Sequence, residues 1–224
     1  MESKNFYLKA FNLSTNLSEV QSQELSSFFI QKEAKKGQVI YAKGGERKVF
    51  ILLSGKVKIS EINEKANEII KELIVPGDLF GDVLLSYEGT VYEYAEVLSE
   101  CCIYLAIGQE QLAHLMRSNH VLTMNYMAKV YDKFKSLESR YVNMVTKDVR
   151  SRLIYCFKEW ARKEGKRLGD KVIVKNNLTH SDLANLVSTS RQTITLILNE
   201  LKDSGKISYN RKEIKFSEIM LSAN

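Results

Sequence analysis

Two apolar stripes at helical spacing, separated by a short polar turn, lie within residues 179–202. The stripes consist of Leu183, Leu186 and Val187, and then of Ile194, Ile197, Leu198 and Leu201. Thr179 can cap the first helix, with Asp182 three residues further on as in a capping box, and Ser190 can cap the second. The pattern therefore predicts two short helices joined by a tight turn, each buried along one face.

The second predicted helix carries polar side chains on the face opposite its apolar stripe. They are Arg191, Gln192, Thr195, Asn199 and Lys202. Arg and Gln at the start of an exposed helix suit the edges of guanine and adenine in the major groove of DNA. This arrangement is typical of a helix-turn-helix, whose second helix contacts bases with its N-terminal residues. The alternative is a surface helix hairpin with a solvated polar face.

The charge balance differs between the two halves of the chain and favours the DNA-binding interpretation. Residues 1–110 contain 12 Lys+Arg and 16 Asp+Glu, a net charge of −4, whereas residues 111–224 contain 21 and 11, a net charge of +10. A mildly acidic half joined to a basic half indicates that only the second half meets a polyanion. Because the positive charge is not packed into one run, a disordered basic tail is not its source.

The composition is that of a two-domain globular protein without a membrane segment. The 224 residues suit two small domains, and a hydrophobic content of 44% permits a buried core. No stretch approaches the roughly 20 apolar residues that span a bilayer, and the N-terminus lacks the order of a signal peptide. We therefore expect a cytoplasmic protein without membrane partners.

The cysteine, histidine and glycine patterns do not indicate a catalytic, metal or redox site. Cys101 and Cys102 are adjacent in a predicted strand, where their side chains point to opposite faces, and Cys156 lies in an apolar helical stretch. There is no CxxC, P-loop, glycine-rich dinucleotide turn or Ser-His-Asp set, and the three histidines are scattered. We expect buried or half-buried thiols, no metal and no enzymatic activity.

The hydrophobic period changes along the N-terminal half. Residues 1–35 look helical and amphipathic, with an apolar set of Leu17, Val20, Leu25, Phe28 and Phe29. From Gly37 to about Ile107 the period changes to two, and short β-rich runs alternate with turns. Many short strands at near-regular spacing predict a small barrel or sandwich.

A long helix from His120 to about Val145 carries apolar residues that step by 3 and 4 in alternation, as in a heptad seam. They are Met127, Val130, Phe134, Leu137, Tyr141 and Met144. One interpretation is that this stripe only covers the barrel, but a helix of about 39 Å is longer than a small barrel. We therefore predict a homodimer seam, which would let two recognition helices bind the two half-sites of a palindromic sequence.

Several motifs occur in a fixed order along nearly the whole chain. They are Gly37-x-x-Ile40-x-x-x-Gly44, Phe50-x-Leu52-x-x-Gly55-x-Val57, Pro76-Gly77-Asp78-Leu79-Phe80-Gly81-Asp82, the Asp148 helix start, Thr179…Ser190-Arg191 and the hairpin-like Ile207–Phe216. With these motifs the chain resembles the Crp/Fnr superfamily of bacterial transcription regulators. The resemblance implies an α+β fold with an N-terminal double-stranded β-helix (jelly-roll, cyclic-nucleotide-binding-like) barrel, a long dimerisation helix and a C-terminal winged helix-turn-helix. It implies an effector-sensing domain over 1–119, the dimerisation helix over 120–145 and the DNA-binding domain over 146–224.

The chain departs from this family where cyclic-AMP-binding relatives hold the cyclic phosphate. Those relatives have a Gly-Glu pair and, further on, an Arg-Ser pair before an Ala, whereas this chain has Gly81-Asp82 and Glu93-Tyr94. A phosphate would meet a carboxylate in place of a guanidinium, which reverses the sign of the charge interaction. On the long helix, Leu137-Glu138 replaces the hydroxyl pair that touches the adenine. We therefore expect an effector other than cyclic AMP, or none.

The resemblance implies an effector pocket between the β-roll and the long helix. Its residues are Gly81, Asp82, Tyr92, Tyr94, Phe134, Leu137 and Glu138. Tyrosine can stack on a flat ligand or close an empty pocket, so the pattern leaves the small-molecule effector unknown. Residues 1–35 contain no cysteine for an iron–sulfur cluster and the β-roll contains no histidine for haem, so neither cofactor is expected.

In the DNA-binding region, Arg191 aligns with an arginine that contacts guanine in relatives, whereas Gln192 replaces an acid and favours an adenine contact. Leu196 is either a core residue or a contact to a thymine methyl, and Ser188 replaces a turn glycine. The full predicted set is Thr179, His180, Ser190, Arg191, Gln192, Thr195, Asn199, Asn210, Arg211 and Lys212. Within this set we expect phosphate contacts from His180, Asn210, Arg211 and Lys212.

These features predict a homodimeric, effector-responsive transcription regulator that binds double-stranded DNA and acts together with RNA polymerase. Two other classes remain open at this point. A cyclic-nucleotide-binding regulatory module of another protein would suit the β-roll, but neither the missing phosphate arginine nor the C-terminal helix-turn-helix fits that class. A cupin-type enzyme would need inward-facing histidines, and residues 37–107 contain none.

Overall fold

The computed structural model describes residues 2–42, 45–64, 68–83, 93–210 and 212–222. The chain splits into two compact units. The first comprises Met1–Ile62 and Glu72–Ser139, and the second comprises Asn63–Lys71 and Arg140–Asn224. Of the helices in the described ranges, none is long and apolar enough to cross a membrane.

The first unit begins with two helices and continues with eight strands. The helices are α1 (Glu2–Ala10) and α2 (Glu19–Phe28), and the strands are β1 (Ile30–Lys35), β2 (Val39–Ala42), β3 (Lys48–Ser54), β4 (Val57–Ile62), β5 (Glu68–Ile74), β6 (Leu79–Gly81), β7 (Glu93–Val97) and β8 (Cys101–Gly108). They form two four-stranded sheets in the orders β1-β8-β3-β6 and β2-β7-β4-β5. The pairs with a defined register are antiparallel, as a jelly-roll barrel requires.

Strand β3 is buried on both faces because each face packs against a different layer. Phe50 and Leu52 belong to a core cluster that also contains Val57, Ile59 and Ala95 from the other sheet. The alternate residues Val49, Ile51 and Leu53 belong to a second cluster, formed with helical residues such as Leu25, Leu112, Leu122 and Tyr126. Because side chains alternate along a strand, one set of β3 side chains fills the barrel and the other set packs against the helices.

Three further helices follow the barrel: α3 (Gln109–Ser118), α4 (His120–Thr146) and α5 (Val149–Glu164). The 27 residues of α4 correspond to about 40 Å of helix, and Asp148 caps α5 by accepting a 2.7 Å hydrogen bond from the Ser151 amide. Tyr126 of α4 donates a buried 2.7 Å hydrogen bond from its hydroxyl to the Val83 carbonyl. The long helix is therefore fixed to the barrel by a satisfied buried polar group as well as by apolar packing.

The rest of the second unit combines a small sheet with short helices. Its elements are β9 (Lys166–Leu168), β10 (Lys171–Lys175), α6 (His180–Leu186), α7 (Arg191–Asp203), β11 (Ile207–Tyr209), β12 (Glu213–Ser217) and α8 (Glu218–Ser222). The strands are ordered β11-β12-β10-β9, and the hairpin of β11 and β12 is the wing that follows the helix pair. The predicted α+β fold class, with a jelly-roll barrel, a long helix and a winged helix-turn-helix, is confirmed.

The prediction that residues 1–35 are helical is correct for Glu2–Ala10 and Glu19–Phe28, but wrong for residues 11–18, which connect the two helices, and for the final segment. Helix α2 ends at Phe28, and Ile30–Lys35 forms β1, which pairs with β8 from Ala106 to Cys101. Pairing with β8 satisfies backbone groups that would otherwise be left at a sheet edge, and such tertiary hydrogen bonding outweighs a weak local preference for helix. Of the predicted apolar set, Leu25 and Phe29 are buried, whereas Val20 is exposed.

Candidate nucleic-acid interface and effector pocket

The two predicted helix caps are present. The Thr179 hydroxyl accepts a 3.1 Å hydrogen bond from the Asp182 amide, while the Thr179 amide donates to an Asp182 carboxylate oxygen at 2.8 Å. The Ser190 hydroxyl accepts from the Thr193 amide at 3.1 Å. Both hydroxyls, predicted as DNA contacts, are thus already used to start α6 and α7. The start of each helix still carries the partial positive charge of the helix dipole, which favours an anion.

The turn between α6 and α7 contains a left-handed residue. Ser188 has φ of 53°, a conformation that costs a non-glycine residue about 1 kcal/mol. The Thr189 amide donates to the Ala184 carbonyl at 2.9 Å and closes the turn. The sequence prediction that Ser188 takes the place of a turn glycine agrees with this geometry.

Two arginines of α5 hold the turn and α7 in place, and sequence reasoning missed both. The Arg152 guanidinium donates to the carbonyls of Met144 at 3.2 Å, Lys147 at 3.3 Å and Ser188 at 3.5 Å. Arg150 donates to a Glu200 carboxylate oxygen on α7 at 2.5 Å. Arg152 thus connects the C-terminal end of α4 to the turn that precedes α7. Nothing in the local sequence pattern distinguishes it from an ordinary surface arginine.

Helix α7 has one buried and one exposed face. Ile194, Ile197, Leu198 and Leu201 are buried, as the apolar stripe predicts. Arg191, Gln192 and Asn199 are exposed, and Thr195 is partly buried. We call these four side chains the polar face of α7. Leu196 is 65% exposed, so the alternative that placed it in the core was wrong.

His180 contacts the polar face of α7 from the start of α6. Its Nδ1 lies 3.0 Å from the Thr195 hydroxyl oxygen, and that hydroxyl donates at 3.0 Å to the Arg191 carbonyl. Because the hydroxyl has only one proton to donate, Nδ1 of His180 is assigned as the donor to it. The structure therefore brings together His180, Arg191 and Thr195 of the predicted site.

The wing carries the remaining predicted DNA contacts. The Asn210 side-chain oxygen accepts from the amides of Lys212 at 2.7 Å and Glu213 at 3.0 Å, which closes the turn of the wing. Asn210 and Lys212 are exposed. Arg211 lies outside the described residues.

The predicted seam of α4 is largely exposed in the single chain. Met127, Phe134, Leu137, Tyr141 and Met144 are between 41% (Met144) and 69% (Tyr141) exposed. Val130 is partly buried against the core of its own barrel. Met124, Tyr131 and Val145 add further exposed apolar area to the same helix and were not in the prediction. We call the exposed apolar residues between Met124 and Val145 the α4 stripe.

The first predicted pocket residues lie at the end of β6. Gly81 has φ of 82°, and a Cβ there would come 2.6 Å from both the Lys48 carbonyl oxygen and the Phe50 ring, so only glycine fits. The next residue, Asp82, donates its amide to the Lys48 carbonyl at 2.9 Å, and its carboxylate lies 3.9 Å from the Arg47 guanidinium. Of the two tyrosines, Tyr94 is partly buried opposite Ser60, and Tyr92 lies outside the described residues.

A partly buried tyrosine near this site is hydrogen-bonded to a carboxylate. The Tyr41 hydroxyl donates to a Glu93 carboxylate oxygen at 2.8 Å. Burial, then Glu93, and then the more distant Glu72 and Asp82 carboxylates raise the pKa of Tyr41 above its usual value, so it remains a neutral donor. The Tyr41 ring stacks on Phe50 at 5.5 Å between centroids. The sequence placed Glu93 here but gave no signal for Tyr41.

The side chain that joins α4 to this region is Lys133. Its ammonium group pairs with the Glu72 carboxylate of β5 and also donates to the Leu79 carbonyl of β6 at 3.2 Å. The predicted neighbours Phe134 and Leu137 are exposed on α4, and Glu138 pairs with Lys135 at 2.8 Å. Lys133 was not among the predicted pocket residues, yet its ammonium group is bonded to both β5 and β6.

Cysteine and metal chemistry add no site in the described part of the chain. Cys102 is buried and Cys156 is partly buried, as expected, but Cys101 is exposed, so the prediction of a buried or half-buried thiol was wrong for Cys101. The different exposure of Cys101 and Cys102 agrees with side chains on opposite faces of the strand, and none of the three forms a disulfide. No group of His, Cys, Asp or Glu residues that could hold a metal ion was found among the described residues.

Comparison with known proteins matches both units to known domains. Residues 31–119 match the cyclic nucleotide-binding domain, and residues 151–219 match the Crp-like helix-turn-helix domain. The global nitrogen regulator of a Nostoc species is 26% identical over 168 residues, which cover 75% of this chain and 75% of that protein. The cAMP-activated global transcriptional regulator CRP of Pasteurella multocida is 25% identical over 191 residues, covering 85% of this chain and 90% of that protein.

A solved structure supports the fold over the full length. A cyclic nucleotide-binding domain containing protein from Listeria monocytogenes has a TM-score of 0.72 at 17% identity and covers 99% of both chains. The two domain matches, their order and the winged helix-turn-helix define a DNA-binding transcription regulator, not an enzyme. The chain belongs to the Crp/Fnr superfamily of transcription regulators.

Proposed function

We propose that this chain is a homodimeric, sequence-specific regulator whose affinity for DNA is set by a small molecule in the β-roll other than cyclic AMP. The observation that carries the proposal is the exposed polar face of α7, which begins at a capped helix start with Arg191. Side chains at that place in a helix-turn-helix enter the major groove.

The predicted DNA contacts divide into base and phosphate contacts. We assign Arg191 to guanine and Gln192 to adenine, since each is exposed and matches the donor and acceptor pattern of that base. We assign Thr179, His180, Ser190, Asn210, Arg211 and Lys212 to phosphates, with the two capping residues acting through the backbone amides at the helix starts. The net charge of +10 over residues 111–224 supports this assignment.

The α4 stripe supports dimerisation through a second copy of the chain. Large apolar side chains scattered singly on a surface need no explanation, but a continuous stripe along one helix marks an interaction surface. Knobs-into-holes packing of two such stripes would bury it. Dimerisation would present two α7 helices to a palindromic site, so that two half-sites contribute to one binding free energy.

The negative charge near Glu93 supports an effector that has no phosphate group at the place where cyclic-AMP-binding relatives hold one. Glu72 and Asp82 lie against the cations Lys133 and Arg47, whereas Glu93, which accepts the hydrogen bond of Tyr41, stands where a phosphate-binding relative has arginine. A phosphate brought close to such a carboxylate would be repelled by several kcal/mol at the effective dielectric of a protein interior. An effector acts by binding the DNA-competent state more tightly than the other state.

Two measurements on the wild-type protein test this proposal. Analytical ultracentrifugation should give a dimer at micromolar concentration, and selection from a random duplex library should recover a palindromic sequence. A monomer, or recovery of no sequence, would refute it. Calorimetric titration with cyclic AMP and cyclic GMP should show no micromolar binding, and native mass spectrometry of the purified protein would identify a bound small molecule.

The remaining assignments follow from the family and belong to the same proposal. We propose that the functional domains are 1–119, 120–145 and 146–224, that the protein acts in the cytoplasm, and that RNA polymerase is its partner at promoters. Co-purification of polymerase with the protein on promoter DNA, but not on the same DNA with scrambled half-sites, would test the partner.

A further inference from the structure

We infer that Leu196 is a specificity-determining residue that contacts the 5-methyl group of a thymine in each half-site. The inference rests on the proposed function, since it requires α7 to lie in the major groove. It adds a third base to the two assigned to Arg191 and Gln192, and it concerns an apolar contact rather than a hydrogen bond.

Leu196 occupies an exposed position on α7. Four of the apolar side chains of this helix are buried, whereas Leu196 is 65% exposed. At about 100° per residue, Leu196 lies one turn after Gln192 and adjacent to Asn199 on the exposed side. Leu196 is therefore an apolar side chain at the border of the polar face of α7. Because it is exposed, it does not stabilise the hydrophobic core.

The acidic residue next to Leu196 is already paired with an arginine. Glu200 lies one turn after Leu196 on the same helix, where a free carboxylate would repel the phosphates and bases of DNA. The Arg150 guanidinium holds this carboxylate at 2.5 Å. The surroundings of Leu196 are thus compatible with the approach of a DNA base.

The side chain of Leu196 is chemically complementary to thymine. Thymine is the only base that presents an apolar group in the major groove. Leucine has no donor or acceptor, so packing it against the N4 amino group of cytosine or the O6 of guanine would leave a desolvated polar edge unpaired. Leu196 would therefore favour thymine both by contact with the methyl group and by discrimination against the other bases.

The thymine methyl group sets the size of the expected effect on DNA affinity. Burial of one methyl group contributes roughly 0.8 kcal/mol, which is about fourfold in affinity. Removing the methyl from both half-sites of a palindrome should therefore weaken binding by about 16-fold, if the two contacts are independent.

The test replaces thymine by deoxyuridine, which removes the methyl group and changes nothing else. The duplex selected by the wild-type protein is resynthesised with deoxyuridine at one thymine position of both half-sites at a time. Affinities are measured by fluorescence anisotropy for the wild type, Leu196→Ala and Leu168→Ala. Leu168 is 67% exposed on β9, so its replacement by alanine is a control for loss of an equally exposed leucine.

We expect one thymine position at which the wild type and Leu168→Ala lose about 16-fold on substitution, while Leu196→Ala loses less than twofold. Leu196→Gln should change the preferred base at that position from thymine to adenine in a repeated selection. The inference is overturned if the penalty for deoxyuridine is the same in Leu196→Ala as in the wild type, or if Leu196→Gln retains the thymine. If the wild-type protein selects no sequence at all, the proposed function fails with it.

Discussion

Helices α4 and α7 both expose one face, but the two faces differ in chemistry. The α4 stripe is a row of methionine, aromatic and aliphatic side chains, whereas the polar face of α7 consists of Arg191, Gln192, Thr195 and Asn199. An apolar face gains free energy by being removed from water, and it suits a permanent partner. A polar face keeps its hydrogen bonds in water and exchanges them for those of a base edge, which suits a partner that is bound and released.

The largest effect should come from placing charge in the α4 stripe. The double substitution Phe134→Glu with Tyr141→Glu would bring four carboxylates into the interface of a dimer and remove the large area that each aromatic ring buries. We expect a monomer by sedimentation and a loss of DNA affinity of about 100-fold or more, since one half-site would be bound at a time. Phe6→Glu replaces an exposed aromatic residue of α1 and should leave both properties unchanged. A dimer that survived the double substitution would contradict the role of the stripe.

A smaller effect on affinity should come from the polar face of α7. Arg191→Ala removes an exposed guanidinium that we assign to guanine, and a bidentate contact of this kind is worth about 1–3 kcal/mol of discrimination. Binding to the selected site should weaken by about five- to 150-fold, while binding to unrelated DNA should change little. Anisotropy titrations against both duplexes measure the ratio, and an equal loss on both would reassign Arg191 to a phosphate.

A third substitution tests the connection between the end of α4 and the turn before α7. Arg152→Ala leaves the carbonyls of Met144, Lys147 and Ser188 without their guanidinium donor. Hydrogen bonds to a charged group contribute about 1.5–3 kcal/mol, so we expect a loss of that order in the free energy of unfolding by urea. Arg150→Ala breaks only an exposed ion pair with Glu200 and should cost less than about 1 kcal/mol. Equal losses for the two variants would show that the three carbonyl contacts add no stability.

The smallest effect should come from the wing. Lys212→Ala removes one exposed charge that we assign to a phosphate. Binding should weaken by the same factor on every sequence, and the slope of log affinity against log salt should fall by about 1 for each protomer. Unchanged salt dependence would place Lys212 away from the DNA.

The sequence predicted the fold and the helix-turn-helix because their signals are local. The caps at Thr179 and Ser190, the stripe from Ile194 to Leu201 and the seam of α4 each repeat with the period of the element that they form. The strand Ile30–Lys35 was missed because its hydrogen bonds are made with β8, about 70 residues further along the chain. The same reason hides Arg152 and Lys133, whose partners are backbone carbonyls or side chains that no spacing rule connects to them.

The pocket was less predictable than the DNA-binding region for a related physical reason. A recognition helix is a continuous segment, so its exposed residues follow from helical periodicity alone. The site around Tyr41 is assembled from β2, β5, β6, β7 and α4, and its side chains meet only after the sheets close. The resemblance to the Crp/Fnr superfamily drew attention to Glu93, but not to Tyr41, whose hydroxyl donates to Glu93.

The hydrogen bond between the Tyr126 hydroxyl and the Val83 carbonyl couples movement of the barrel to movement of the long helix. Val83 follows β6 by two residues, and Tyr126 lies in the second turn of the helix that carries the α4 stripe. A displacement of the backbone at Val83 has to be followed by the phenol ring or else leave a buried carbonyl unpaired. The end of β6 and the long helix therefore share one fixed point, so a ligand that moved the backbone at Val83 would also act on α4.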